Sequence, residues 1–217
     1  MLPFHPSRHT TLRWPGAGLV FAAGLLAATL ARADYLWIQP EANGAGAKVF
    51  TGELRKPLEK LPTLQDAKAV LPEAGEAPYA QAADHFDIPK AAGDTRFVAT
   101  RIGIDGVLTY YQARFGRVQT EAVNDLELVP TEPGGNTYRL IFKGRPVAAS
   151  QVNVDTSEGW HRVLTPAKDG TVSFTPYIPG LYVLEVTARV NNGSVTLGGK
   201  KYDDVRHTAT LSFEIPR

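Results

Sequence analysis

Residues 138–213 decide the fold, and they read YRLIFKGRPVAASQVNVDTSEGWHRVLTPAKDGTVSFTPYIPGLYVLEVTARVNNGSVTLGGKKYDDVRHTATLSF. Apolar and polar residues alternate here in short runs, as in Gln151-Val152-Asn153-Val154 and Val172-Ser173-Phe174. This period of two is typical of strands with one buried face. Asp169-Gly170 supplies a left-handed turn between two strands, and Pro179-Gly180 ends a loop just before Leu181-Tyr182. That tyrosine is placed to hydrogen-bond back near a sandwich corner, so the segment predicts a β-sandwich.

The first 33 residues have the features of a secretory signal peptide. Arg8 and Arg13 precede an apolar run from Ala17 to Leu30, and the small residues Ala31 and Ala33 then mark a cleavage site. We predict cleavage after Ala33 and export to the periplasm. The apolar run is shorter than the ~20 residues of a membrane-spanning helix, which argues against an uncleaved membrane anchor. No later stretch is apolar enough to span a membrane, so we expect no membrane span after cleavage. The chain has no cysteine, which excludes disulfides and a lipid-modified cysteine.

The mature chain is nearly neutral, with 20 basic and 22 acidic residues after the three arginines of the signal are removed. It has no basic stripe interleaved with aromatic residues, which argues against nucleic-acid binding. Its length exceeds the roughly 100 residues of one small sandwich. We therefore predict an all-β protein with two small β-sandwich domains, of immunoglobulin-like or transthyretin-like type.

The predicted domains are residues 34–130 and 137–217, with a linker at 131–136. The linker is expected because Thr131-Glu132-Pro133-Gly134-Gly135-Asn136 is rich in turn-forming residues and contains no large apolar one. Within the first domain, residues 54–89 contain five prolines. We expect this segment to be irregular, with at most two helical turns at 64–70, since proline interrupts both helices and central strands.

The second half resembles the transthyretin-like or carboxypeptidase-regulatory-like sandwich. The resemblance is carried by Gly144-Arg145-Pro146-Val147, by Asp169-Gly170 and by Pro179-Gly180-Leu181-Tyr182. It implies a fold and leaves the function open, because sandwiches host many unrelated activities.

Nearly all of the mature chain resembles a second family, of bacterial periplasmic proteins associated with nickel and cobalt uptake. The similar segments, in chain order, are Tyr35-Leu36-Trp37-Ile38-Gln39-Pro40, Gly52-Glu53, Leu108-Thr109-Tyr110-Tyr111, Leu126 to Pro130, Gly159-Trp160 and Arg206-His207-Thr208. Many members begin the mature chain with a histidine, where this chain has Asp34-Tyr35. The resemblance implies a role in nickel or cobalt handling, beside an outer-membrane receptor or a metal transporter.

Metal binding would have to use the three histidines that remain after signal removal, since the chain has no cysteine. His207 is in phase with Ala209, Leu211 and Phe213, so we expect it to point inward at the rim of the core. Nearby Asp203 and Asp204 are candidates to orient the ring or to share a cation. The alternative is a rim histidine satisfied by a backbone carbonyl or an aspartate.

Two further histidines complete the candidate set. His85 lies in Asp84-His85-Phe86-Asp87, which places two carboxylates around an imidazole and could form half of a cation site. The alternative is a solvated loop. His161 alternates with Trp160, so we expect it to face solvent without a special role. The predicted metal ligands are therefore His207, Asp203, Asp204 and His85.

Catalysis has little support in the sequence, which lacks both a Gly-x-Ser-x-Gly elbow and a cysteine nucleophile. Tyr110-Tyr111 places one ring on each face of a strand, so the core accounts for at least one of them. We predict an exported binding or accessory protein that is not an enzyme and is linked to nickel or cobalt uptake. The alternative is a metal-free interaction or scaffold module that docks a transport or envelope partner.

Overall fold

The computed structural model describes residues 34–42, 44–71, 75–89, 93–149, 151–189 and 194–217. The predicted signal peptide at 1–33 and its cleavage site lie outside these residues. The described residues form strands and no helix, which confirms the all-β prediction. No helix long and apolar enough to span a bilayer occurs in this described part of the chain.

Nineteen strands are found in the described residues. In the first part of the chain they are β1 (Tyr35–Pro40), β2 (Gly46–Glu53), β3 (Lys56–Pro57), β4 (Gln65–Leu71), β5 (Gly75–Ala77), β6 (Ala80–Gln81), β7 (His85–Pro89), β8 (Thr95–Ile102) and β9 (Leu108–Phe115). In the second part they are β10 (Leu126–Pro130), β11 (Thr137–Phe142), β12 (Arg145–Val147), β13 (Val152–Thr156), β14 (His161–Leu164), β15 (Thr171–Ser173), β16 (Gly180–Arg189), β17 (Val195–Leu197), β18 (Lys200–Tyr202) and β19 (Val205–Ile215).

The strands form three packed layers around one central sheet. The central sheet has eight strands in the order β14-β13-β16-β19-β9-β8-β4-β5. A five-stranded sheet contains β1, β2, β7 and β6, with β3 paired to β2. A four-stranded sheet contains β10, β11 and β12, with β15 paired to β11. Strands β17 and β18 form a separate hairpin.

Both faces of the central sheet are covered, as the alternation along β16 shows. Tyr182, Leu184 and Val186 pack into a core with Leu128 and Leu140 of the four-stranded sheet. The intervening Leu181 and Val183 pack against Tyr35 and Trp37 of β1. A third core joins the five-stranded sheet to β4, β8 and β9. A strand buried on both faces is expected to be nearly continuously apolar, as VLEV in β16 is.

Strand β1 is the edge strand of the five-stranded sheet, and its unpaired edge faces the central sheet. The hydroxyl of Thr210 donates to the carbonyl oxygen of Leu36 at 2.6 Å, and the hydroxyl of Ser212 donates to the carbonyl oxygen of Ile38 at 2.7 Å. Buried edge carbonyls need such donors, because a polar backbone group buried without a partner is costly. The two small hydroxyl residues of β19 therefore connect the first strand of the protein to its last.

The strand pairing does not divide at the predicted boundary between two domains. β19 pairs in parallel with β9 from Val205↔Leu108 to Ser212↔Phe115, so the central sheet contains strands from both sides of residues 131–136. All described residues belong to one compact unit. A parallel pairing between strands about 100 residues apart has no local turn signal, so the pattern of strands and turns did not indicate it.

The predicted linker at 131–136 is a hairpin loop instead. It joins β10 to β11, which pair from Leu126↔Phe142 to Pro130↔Tyr138. The amide of Thr131 donates to the carbonyl oxygen of Thr137 at 2.9 Å, and Gly134 has a φ of 73°. Turn-forming residues suit a tight hairpin as well as a linker, so their composition alone does not distinguish the two.

Residues 54–89 are also more regular than predicted. Their described part contains β3 to β7, and residues 65–71 form a strand where helical turns were allowed. β4 pairs with β8 and buries Ala69 opposite Phe97. Tertiary pairing overrides the weak local preference here, and Pro57 and Pro89 lie at the ends of strands, where a missing amide donor is tolerated.

The sandwich corner is present as expected. Tyr182 is almost fully buried, and its hydroxyl accepts a hydrogen bond from the amide of Ile178 at 2.9 Å. The bond ties the loop before β16 to the strand and fixes where β16 begins.

Candidate functional site

His207 lies near the start of β19, on the face of the central sheet that packs against the four-stranded sheet. It is 4% exposed, and its ring stacks on Tyr110 with centroids 4.9 Å apart. Phe142 meets the same ring edge-on at 5.1 Å. The inward direction expected from its phase with Ala209 is therefore confirmed, and Tyr110 and Tyr111 do lie on opposite faces of β9.

The imidazole of His207 is buried without a complete set of hydrogen bonds. Its Nδ1 has no partner among the described residues. Burial lowers the pKa of His207, the negative charge of Asp125 opposes that shift, and Lys143 adds to it. A lowered pKa keeps the ring neutral near pH 7. The ring then carries one N–H donor and one lone pair, and which nitrogen bears the proton follows from its partners.

His207 forms part of the wall of a cavity of about 650 Å³ between the central and four-stranded sheets. Most of the described lining residues are apolar, and among them only Thr187 and Arg189 join His207 as polar residues. The apolar members come from β10, β11, β12, the segment after β12, and β16: Leu126, Leu140, Phe142, Val147, Ala148, Ala149, Val186 and Ala188. The described lining contains no carboxylate.

The wall strand β10 is held in place by a buried network of four charged residues. Arg96 of β8 and Arg114 of β9 both bind Glu127 of β10, with nitrogen–oxygen distances of 2.8 Å. Arg114 also pairs with Asp94, and all four side chains are at most 2% exposed. The two carboxylates accept backbone amides of residues 118, 119, 123 and 124. Two cations and two anions thus neutralise each other and fix the segment that leads to Leu126 in the cavity wall.

Asp203 and Asp204 do not join His207. Asp204 pairs with Arg189 at 3.1 Å and with Arg206 at 3.2 Å, while Asp203 pairs with Lys201 at 2.9 Å. The hydrogen bond from Arg206 lowers the pKa of Asp204. Both carboxylates are therefore neutralised by arginine and lysine side chains of the chain itself.

His85 lies on β7 of the five-stranded sheet, in different surroundings from His207. Its Nδ1 is 2.7 Å from an oxygen of Asp84, and its Nε2 is 2.7 Å from the ammonium of Lys48. The hydrogen bond with His85 lowers the pKa of Asp84. Lys48 also pairs with Asp87 at 3.2 Å. Lys48 thus occupies the place where a metal would approach Nε2.

The four predicted metal ligands are therefore not brought together. Within the described ranges no group of three or more histidine and acidic side chains is arranged to hold a metal ion. His207 lines a cavity of ligand size, and it does so with aromatic neighbours.

A second polar cluster was not singled out from the sequence. His161 is exposed, as expected, but its Nδ1 lies 3.0 Å from Asp155, directly across the β13–β14 hairpin. The hydroxyl of Tyr35 is 3.4 Å from the other oxygen of Asp155. The three residues line a cleft of about 290 Å³ together with Arg55 and Lys56. The signal that could have found the pair is the hairpin register, which opposes residues 155 and 161.

Comparison with known proteins adds no family assignment. No protein-family model matches the chain, and no curated protein matches it at a significant level. The resemblance to periplasmic proteins of nickel and cobalt uptake, and the transthyretin-like resemblance, remain predictions from the motifs quoted above.

Proposed function

We propose that the protein is a binding module and that it holds a small, largely apolar molecule in the cavity beside His207. One observation carries this proposal: the buried imidazole of His207 lies in the wall of a cavity of about 650 Å³ whose other described lining residues are mostly apolar. Ligand cavities commonly measure about 300–1,000 Å³ and combine apolar walls with a few polar groups.

The physical reason is the cost of the unpaired nitrogen. A buried polar group without a partner destabilises a fold by about 1–3 kcal/mol. A phenylalanine at position 207 would pack between Tyr110 and Phe142 without that cost. The histidine therefore costs stability where an apolar residue would not, which supports a role for it in binding. The described lining offers the imidazole no carboxylate partner, which supports binding rather than acid–base catalysis.

Titration with 1-aminoanthracene, an uncharged fluorescent probe, tests the cavity. We expect saturable binding with one site per chain. Ala149→Trp should weaken binding at least tenfold, because the larger ring fills space between the sheets. Val163→Trp on exposed β14 is the matched control and should bind as the wild type does. No saturable binding, or equal binding by both variants, would contradict the proposal.

Nickel or cobalt capture, implied by the resemblance, is a second candidate. It is favoured by the neutral imidazole of His207, because such a ring has a lone pair for a transition metal. Against it stands the engagement of Asp203, Asp204 and His85 with cationic side chains. Calorimetric titration with Ni²⁺ decides: heat that disappears in His207→Phe supports capture, and heat equal to dilution rejects it.

The metal-free docking alternative has weaker support. The end strands of the central sheet, β14 and β5, are four and three residues long. Natural sheets limit unwanted edge pairing with strands this short. We retain export to the periplasm as part of the proposal, on the basis of residues 1–33. An intact mass that corresponds to a chain starting at Asp34 would support export. Soluble protein that retains Met1 would refute it.

A further inference from the structure

Positive charge without a counter-ion lies in the cleft between the β2–β3 and β13–β14 hairpins. Arg55 and Lys56 line this cleft of about 290 Å³ on one side, and Gly159 and His161 line it on the other. Among the described residues, neither Arg55 nor Lys56 forms an ion pair with a carboxylate. Both residues are exposed, so a dissolved ligand can reach them.

The guanidinium of Arg55 reaches across the cleft. Glu53 and Lys56 pair across the β2–β3 hairpin, so Arg55 lies in the two-residue turn between them. A β-carbon added at Gly159 would lie 2.8 Å from Nη1 and 3.0 Å from Cζ of Arg55. The guanidinium therefore lies beside the turn between β13 and β14, where the absence of a side chain at Gly159 leaves room for it.

The carboxylates in the lining limit the charge that a ligand can carry. The side chain of Asp155 is 10% exposed, and its oxygens face His161 at 3.0 Å and the hydroxyl of Tyr35 at 3.4 Å. Glu53 is half-buried in the same lining, and it repels a second negative charge. A ligand with one negative charge therefore fits the cleft better than a doubly charged phosphate.

A carboxylate matches the group that the cleft presents. A guanidinium donates two parallel N–H bonds to the two oxygens of a carboxylate, and such charged bonds are stronger than neutral ones. Lys56 adds a second positive charge to the same wall. Ligand pockets commonly measure about 300–1,000 Å³, so a cleft of about 290 Å³ suits a small molecule.

We propose that this cleft is a second binding site, which takes a small molecule with a single carboxylate held by the guanidinium of Arg55. The site is separate from the cavity beside His207, and it does not depend on the function proposed for that cavity. It predicts selectivity against uncharged molecules, which leave the guanidinium without a counter-ion, and against phosphate dianions, which Glu53 repels.

The test uses benzoate, benzamide and phenyl phosphate, three probes of similar size, in amide NMR titrations of the mature protein. We expect benzoate to shift the resonances of residues 53–56 and 159–161 with saturation. Benzamide lacks the charge and should bind at least tenfold more weakly, as the loss of a charged hydrogen bond allows. Phenyl phosphate should also bind more weakly than benzoate.

Variants assign the contact to Arg55. Arg55→Gln should weaken benzoate binding at least tenfold, and Arg55→Lys, which keeps the charge but not the paired donors, should have an intermediate effect. Arg162→Gln is the matched control, because Arg162 is exposed on the same hairpin as His161 but is not in the lining. Ala149→Trp, which fills the cavity beside His207, should bind benzoate as the wild type does.

Each failure has a distinct meaning. Absence of saturable benzoate shifts at residues 53–56 and 159–161 would reject the site. Equal binding of benzoate and benzamide would show that the carboxylate is not recognised, and tighter binding of phenyl phosphate would overturn the preference for a single charge. Benzoate affinity that is unchanged in folded Arg55→Gln, or that is lost equally in Arg162→Gln, would overturn the role of Arg55.

Discussion

At the scale of single residues, His207 carries the functional argument because its environment is aromatic and apolar. Tyr110 and Phe142 contact the ring, and Nδ1 is unpaired. Asp203 and Asp204 are neighbours in sequence, yet their carboxylates bind Lys201, Arg189 and Arg206. Although these residues are close in sequence, they do not form a shared site, because the two carboxylates are paired with lysine and arginine side chains.

The lowered pKa of His207 predicts a pH dependence of stability. The unfolded chain binds a proton at an ordinary histidine pKa of about 6.5, and the folded chain binds it only at lower pH. Stability contributed by the neutral ring is therefore present above about pH 6.5 and is lost as pH falls toward the folded pKa, by at most about 1.4 kcal/mol per pH unit.

Urea unfolding of the wild type and His207→Phe between pH 7.5 and 5.5 measures this effect. We expect the free energy of unfolding of the wild type to fall more steeply with acidification than that of the variant. Tyr110→Phe keeps a ring on His207 and removes no group that titrates in this range, so it should behave as the wild type. If the free energy of unfolding changes equally with pH in the wild type and in His207→Phe, the histidine does not cause the effect.

At the scale of elements, β10 depends on charges that it shares with β8 and β9. Glu127 lies between Arg96 and Arg114 and is almost completely buried. Its neighbour Leu126 belongs to the cavity wall, and the amide of Leu126 is bound by Gln112 at 3.0 Å. The network therefore ties β10, whose Leu126 lines the cavity, to β8 and β9 of the central sheet.

Glu127→Gln should destabilise the fold by about 3–5 kcal/mol, because it removes one anion and leaves two buried arginines with a single carboxylate. Glu76→Gln is the control. Glu76 also pairs with a cation, Lys68, but both side chains are at least half exposed, so we expect a loss of less than about 1 kcal/mol. Denaturant unfolding of both variants measures the difference. Equal losses would mean that the buried network does not organise β10.

At the scale of the whole molecule, the central sheet makes the two halves interdependent. β9 pairs with β19, and carbonyl groups at the edge of β1 accept hydrogen bonds from Thr210 and Ser212. Removing residues 137–217 would expose one face of the first half and leave these edge carbonyls without donors. The three layers are therefore expected to fold as one unit.

We accordingly predict one cooperative thermal transition for the mature protein, with calorimetric and van't Hoff enthalpies equal. A fragment of residues 34–130 should lack the dispersed amide resonances of a folded protein when expressed alone. Two separable transitions, or a folded fragment, would instead support two independent sandwiches. Calorimetry and amide NMR spectra provide the two measurements.

Local features of the sequence determined the corner before β16 and the direction of individual side chains. The alternation in β19 placed His207 inward, Tyr110 and Tyr111 fell on opposite faces of β9, and Tyr182 closed its corner. These properties follow from the two-residue period of a strand and from short-range turns, so a single segment contains all the information that they require.

Only the tertiary structure decided which strands meet and which charges pair. The parallel pairing of β9 with β19 and the cavity between β10 and β16 both depend on contacts between distant segments. The ion pair between Arg189 and Asp204 and the contact between Lys48 and His85 likewise depend on the tertiary structure. Alternation shows which side of a strand is buried, but the partner on that side is set by packing of the whole chain, which no local pattern encodes.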